Sequence, residues 1–215
     1  MRNGAPRRPI ALVDPGIGPL PHLGDPRIRE MVEPIDIYEL ASTDLNPHGG
    51  LIIGAHVDQE LLHRERAMIR NFLDEGKVIA FSGQLLHPWL PGAGPFVPRK
   101  IRSYHDYRVR VVSPHPIFEG VREDDLTFRR GVAGFFARGH NPPPEGAEVL
   151  AELPGGEPVV YVDRSSTGGV ILVHAGHDLL TYGLESVYGD DAPATSASRI
   201  GPQLLAWMLA EKPGA

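Results

Sequence analysis

The sequence predicts an α/β domain built around a mostly parallel β-sheet. Four short apolar runs each end in polar residues with glycine nearby: 10–13 before Asp14, 51–53 before His56, 78–81 before Ser82 and 170–173 before His174. Continuous apolar runs of this length are typical of parallel strands that are buried on both faces. Because open α/β sheets bind their ligands outside the carboxyl ends of the strands, we expect these polar residues to line one crevice.

The segments between the first of these runs predict an edge strand and helices. Residues 26–32 predict a short helix, because proline suits the first position of a helix. Residues 35–40 alternate apolar and polar side chains, as a strand with one exposed face does. Residues 59–75 place apolar side chains near helical spacing and are followed by Gly76, which predicts an amphipathic helix that ends there.

The second half of the chain predicts a β-rich insertion between about residues 99 and 162. Four prolines forbid a regular helix within 85–98, and a loop of that length beside a strand end predicts a wall or lid of the crevice. The remaining patterns predict strands at 107–112, 148–153 and 159–163, an ordered surface excursion at 131–144 and a closing amphipathic helix at 200–211.

Composition limits the function classes. A chain of 215 residues that is 41% hydrophobic can bury a full core, so we expect a single domain over residues 1–215. The net charge of -6 argues against a nucleic-acid partner, because neutralising phosphates needs a basic face. The basic residues 1–8 precede too few apolar residues for a signal peptide, and no run is long enough for a membrane helix, so we expect a cytoplasmic protein with no membrane partner. The absence of cysteine excludes disulfides, thiolate zinc sites and a cysteine nucleophile.

Three segments resemble the class I glutamine amidotransferase-like superfamily, and within it the ThuA-like branch. They are the run from Leu51 through the helix ending at Gly76 into the strand ending at Phe81, His115-Pro116-Ile117 with Gly120, and residues 169–173 with Gly176-His177-Asp178. This resemblance implies a flavodoxin-like fold, a three-layer αβα sandwich with a mostly parallel central sheet and a β-rich insertion. It also implies homo-oligomer formation.

The chain departs from the catalytic members of this superfamily at one position. Their nucleophilic cysteine sits on a strained turn directly after the third strand, activated by a histidine after a late strand. The corresponding turn here reads Phe81-Ser82-Gly83-Gln84. Glutamine hydrolysis by the cysteine route is therefore excluded, and the resemblance informs the fold more than the function.

The candidate catalytic residues are Ser82, His87, His174, His177 and Asp178. Ser82 is the hydroxyl at the turn, with His174 or His177 as its base and Asp178 to orient the imidazole. The structural alternative is a small residue required by a tight turn, in which Gly83 supplies an unusual φ. Without a nucleophile, His177 with Asp178, assisted by His87 or His174, would act as general acid and base, because an imidazole suits proton transfer at neutral pH.

The candidate ligand-binding residues are Asp14, His56, Gln84, Arg138 and His140. A loop arginine binds a carboxylate or phosphate through two parallel hydrogen bonds, although a solvated arginine is the simpler alternative. The sequence assigns no cofactor and no metal ligand. The spacing His174-x-x-His177-Asp178 leaves a divalent metal open as an alternative to hydrogen-bonded histidines.

These features predict a polar crevice for a small hydroxylated or anionic molecule. An enzyme would use histidine acid/base chemistry, as a hydrolase or a sugar-modifying enzyme. The alternative is a non-catalytic ligand-sensing or scaffold domain that has lost the nucleophile. A catalyst turns its ligand over, whereas a sensor binds it saturably without forming product.

Overall fold

The computed structural model describes residues 9–184 and 195–211. Their strands are, in chain order, β1 (Ile10–Asp14), β2 (Val32–Asp36), β3 (Gly50–Ile53), β4 (Val78–Ser82), β5 (Val97–Pro98), β6 (Arg110–Val111), β7 (Phe128–Arg129), β8 (Val132–Ala133), β9 (Gly139–His140), β10 (Glu148–Glu152), β11 (Pro158–Asp163) and β12 (Val170–His174). The helices of these residues are α1 (Pro26–Arg29), α2 (Gln59–Arg64), α3 (Arg66–Asp74), α4 (Glu123–Thr127) and α5 (Ile200–Ala210).

The central sheet confirms the predicted fold class. Eight strands lie in the order β2-β1-β3-β4-β12-β11-β10-β6. The first five are parallel, and the last three continue the sheet with antiparallel pairing. The parallel half has the flavodoxin-like order, with β1 and β3 adjacent at the point where the order reverses.

Apolar side chains on both faces of the sheet pack against helices, so the fold has three layers. One face packs Ile10, Leu12 and Ile52 against α5, including Leu204 and Trp207. The other face packs its own cluster against α2 and α3, with Leu51, Ile53, Ile79, Leu62, Ile69 and Phe72 among its members. Burial on both faces explains why the parallel strands are continuous apolar runs.

Several element boundaries differ from the prediction for local reasons. The helix predicted at 26–32 ends at Arg29, because Val32 begins β2 and pairs with Ile10 of β1. Proline at position 34 is tolerated there, because β2 is the edge of the sheet. The helix predicted at 59–75 is broken into α2 and α3 at Glu65, whose ψ of 14° is not helical.

The insertion carries its own small sheets and folds back toward the parallel strand ends. The strand predicted at 107–112 is instead a 3₁₀ turn, Tyr104–Tyr107, followed by the two-residue β6. Two two-stranded sheets form outside the central one, β5 with β9 and β7 with β8. An isolated bridge joins Ala137 to Gly176, just after β12. The insertion therefore reaches the edge where the parallel strands end.

The segment His115-Pro116-Ile117 anchors the insertion to α5. The His115 ring lies edge-on to the Trp207 indole, with centroids 5.2 Å apart. Gln203 of α5 donates from its side-chain amide to the carbonyl of Pro116 at 2.6 Å. None of the helices within residues 9–184 and 195–211 is both long enough and apolar enough to span a membrane.

Candidate functional site

The carboxyl ends of four adjacent parallel strands define the candidate site. β1, β3, β4 and β12 are neighbours in the sheet, so the residues that follow them meet at one edge. The pairing of Ile53 with Phe81 and of His174 with Ser82 brings these ends to similar heights. This is the crevice that the sequence predicts.

Two cavities lie at this edge. The first, called the apolar cavity, has a volume of about 280 Å³, and its lining includes Leu12, Ile17, Leu20, Ile52 and Leu180 together with His56, His177 and Asp178. The second, called the polar cavity, has a volume of about 400 Å³, and its lining includes Gln59, Gln84, Phe135 and Arg138 together with His56 and His177. The two cavities share His56 and His177, so these imidazoles stand where they adjoin.

Asp178 is held against the loop that follows β3. Its Oδ1 accepts a hydrogen bond from the backbone N–H of Ala55 at 2.9 Å. Gly54 makes this approach possible, because a Cβ there would lie 2.8 Å from the same oxygen. The glycine after β3 therefore leaves room for the carboxylate, and the Ala55 N–H holds it in place.

His177 is the candidate acid/base group that the cavities expose. Burial lowers the pKa of His177, the Arg129 and His56 charges lower it further, and the carboxylate of Asp178 opposes the shift. The imidazole is therefore mainly neutral at neutral pH and can accept a proton. Asp178, next to it in the chain, favours the imidazolium that forms.

His174 is in a different environment. Its side chain is completely buried, and its ring packs against Phe136 with centroids 4.4 Å apart. Within the described part of the chain, neither ring nitrogen makes a hydrogen bond of ordinary geometry, although backbone groups of His177 and Phe136 lie close to the ring. Burial, reinforced by the charge of His177, lowers the pKa of His174 to about 3, against an opposing effect of backbone groups of His177 and Phe136. His174 is thus a neutral core residue rather than part of a cavity lining.

Ser82 holds the turn after β4 against the segment after β12. Its side chain is buried, and its Oγ accepts a hydrogen bond from the Leu179 backbone N–H at 3.1 Å. Gly83 has a φ of +148°, a conformation that favours glycine, and its N–H donates to the His174 carbonyl at 2.8 Å. This geometry favours the structural interpretation of Ser82 over that of a nucleophile.

Two side chains that the sequence interpretation missed hold the loop after this turn. Asn141, fully buried, accepts from the Leu85 N–H at 3.0 Å and donates to the Gly83 carbonyl at 2.8 Å. Gln59 donates to the Gln84 carbonyl at 2.7 Å and accepts from the Leu86 N–H at 2.8 Å. No local sequence signal marks these amides, because their partners lie 25 or more residues away along the chain.

The other predicted ligand-binding residues divide into two groups. His56, Gln84 and Arg138 line the polar cavity. Arg138 donates from Nε to the Gly134 carbonyl at 2.9 Å, and its guanidinium lies 5.8 Å from the Tyr107 ring centroid.

Asp14, His87 and His140 lie outside both cavity linings. Asp14 accepts from the Gly16 N–H at 2.9 Å and so closes its own turn. The His87 ring lies 6.1 Å from that of His63 in α2. His140 borders a separate cavity of about 360 Å³ in the insertion.

A divalent metal site at this turn would require His174, His177 and Asp178 to point toward one metal ion. His174 packs into the core, whereas His177 faces the cavities. Across residues 9–184 and 195–211, no three His, Asp or Glu side chains are grouped so that they could hold a metal ion.

Comparisons with known proteins show the fold but not a family. No protein-family model matches the chain, and no curated protein matches its sequence. Solved structures do match. The cytoplasmic protein STM1381 from Salmonella typhimurium LT2 is 11% identical with a TM-score of 0.57, over 93% of this chain and 99% of that one. A candidate GMP synthase subunit from Thermoplasma acidophilum is 13% identical with a TM-score of 0.60, over 96% of both chains. The chain therefore shares the α/β fold of these two proteins, and this agrees with the fold that the sequence predicts.

Proposed function

We propose that this protein is a cysteine-free, ThuA-like member of the glutamine amidotransferase-like proteins whose crevice binds a small hydroxylated or anionic molecule. The observation that carries the proposal is the position of His177. This imidazole lies where the apolar and polar cavities adjoin, has a lowered pKa and is followed directly by the fixed carboxylate of Asp178.

The arrangement supports proton transfer rather than covalent catalysis. A neutral His177 can take a proton from a ligand hydroxyl or from a water molecule, and Asp178 stabilises the resulting cation. Arg138 supplies positive charge in the polar cavity for an anionic group on the ligand. These roles are those of a hydrolase or a sugar-modifying enzyme that has no nucleophile at the turn after β4.

The ThuA-like assignment is supported by two of its sequence segments. His115-Pro116-Ile117 packs against α5, and Gly176-His177-Asp178 carries the histidine at the cavities. The small glycine after β12 is required there, because a Cβ on Gly176 would overlap the Phe136 carbonyl oxygen. The first segment therefore anchors the insertion to α5, and the second carries the histidine at the crevice.

The test is ligand binding and turnover in the His177→Ala variant. Small hydroxylated and anionic compounds are screened by ligand-observed NMR, and each binder is then followed for product. We expect binders whose affinity or turnover falls at least tenfold in His177→Ala and is unchanged in His105→Ala, since His105 is an exposed residue of the insertion. Binding that is identical in the two variants would contradict the proposal.

A non-catalytic sensing or scaffold role is the second candidate, favoured by the buried and hydrogen-bonded Ser82 where related enzymes carry a nucleophile. The same screen separates the two roles. Saturable, His177-dependent binding with no product from any binder would support the sensor, and turnover would support the enzyme.

We also propose a cytoplasmic protein that acts on a small molecule without a nucleic-acid or membrane partner, and that forms a homo-oligomer. Light scattering coupled to size exclusion would test the oligomer, because a mass of 23.4 kDa would show a monomer.

A further inference from the structure

The charges at the crevice are divided between its two cavities. Asp178 lines the apolar cavity and not the polar one, whereas Arg138 lines the polar cavity and not the apolar one. His56 and His177 line both. An anionic group is therefore attracted to the polar cavity by Arg138 and repelled from the apolar cavity by Asp178.

The apolar cavity has the size and lining of a site for a hydrocarbon group. Leu12 and Ile52 come from the buried strands, and Leu20 and Leu180 come from the segments that follow β1 and β12. Its volume is about 280 Å³, whereas an apolar cavity of about 150 Å³ already binds benzene. Ile17, which is 70% exposed, also lines this cavity, so a ligand there would cover apolar surface that now faces water.

We propose that the ligand is an amphipathic monocarboxylate. Its carboxylate lies against Arg138 in the polar cavity, and the far end of its hydrocarbon chain lies in the apolar cavity. The connecting atoms pass His56 and His177, so a hydroxyl on the carbons next to the carboxylate would lie near the imidazole that transfers protons. This inference rests on the proposed function and names the substrate class of that site.

The first measurement is a titration of the amide NMR spectrum with acetate, butyrate and hexanoate. Each methylene that is fully removed from water strengthens binding about fourfold, or about 0.8 kcal/mol, so each two-carbon step should tighten binding by up to about 15-fold. Hexylamine has a similar chain with the opposite charge and should bind at least tenfold more weakly than hexanoate.

Three variants assign the two parts of the ligand to the two cavities. Arg138→Gln should weaken the binding of every acid by at least tenfold and leave the dependence of affinity on chain length unchanged. Ile17→Asp should weaken the binding of hexanoate by at least tenfold and leave the affinity for acetate within twofold of its original value, because only the longer chain reaches the apolar cavity. Tyr38→Asp is the matched control, since Tyr38 is 68% exposed and lines neither cavity, and it should change neither affinity.

The outcomes separate this inference from the proposed function. Equal affinity along the acid series, hexylamine binding as tight as hexanoate, or no binding of any acid would each overturn the monocarboxylate. A polar anion could instead bind in a way that His177→Ala abolishes and Ile17→Asp does not change. That result would overturn the monocarboxylate inference and leave the proposed function standing. Failure of the proposed function itself would show as the absence of any His177-dependent binder.

Discussion

Replacing His174 by leucine should make the protein less sensitive to acid. His174 is completely buried with a pKa of about 3 in the folded chain, whereas an imidazole in the unfolded chain titrates near 6.5. Between these values the unfolded chain binds the extra proton, so the free energy of unfolding falls as pH falls. The stability from the neutral imidazole is fully present above pH 6.5 and is lost progressively toward pH 3.

The expected magnitude follows from the pH interval. A pH of 5.0 lies 1.5 units below the pKa of the imidazole in the unfolded chain, whereas the imidazole of the folded chain is still neutral at that pH. At 1.36 kcal/mol per unit, the free energy of unfolding is therefore about 2 kcal/mol lower at pH 5.0 than at pH 7.5. His174→Leu removes this cost.

Urea unfolding at pH 7.5 and 5.0 measures the effect. The loss of unfolding free energy between the two pH values should be about 2 kcal/mol smaller in His174→Leu than in the original chain. His105→Leu is the control, because that side chain is exposed in the folded chain. Equal losses in all three proteins would refute the conclusion that His174 is a neutral core residue.

Three further predictions concern the turn and the segments that hold it. Asn141→Ala should lower the unfolding free energy measured in urea by about 2–4 kcal/mol, because it leaves two buried backbone groups unpaired. The control is Asn71→Ala on the exposed face of α3, which should change the unfolding free energy by under about 0.5 kcal/mol. Gly176→Ala should cost more than about 3 kcal/mol and lower Tm by roughly 6–12 °C in calorimetry, since its Cβ overlaps backbone; Gly24→Ala, where a Cβ meets nothing within 4 Å, should leave Tm within about 2 °C. Glutamine should release no glutamate, because the hydroxyl of Ser82 is buried and bonded to backbone; release that disappears in Ser82→Ala would contradict this.

The sequence by itself determined the parallel sheet and the edge at which to look for function. Runs such as 78–81 and 170–173 are apolar at every position because both faces of those strands are covered, and this pattern is visible in the residues alone. The polar residues after each run mark the strand ends, so the placement of His56, Gln84 and His177 around one cavity follows from the order of the parallel strands.

Only the tertiary structure decided which of those polar residues face the cavities. His174 is the last residue of β12 and His177 lies three residues further along the chain, and the sequence does not fix the direction of either ring. Packing against Phe136, which comes from the insertion, takes His174 into the core and leaves His177 where the cavities adjoin. The amides of Gln59 and Asn141 hold the turn after β4 through bonds to residues 25–58 positions away. The contacts of Asn141 depend on how the insertion folds back on the sheet, and those of Gln59 depend on how α2 packs beside the turn. No local pattern of residues encodes either arrangement.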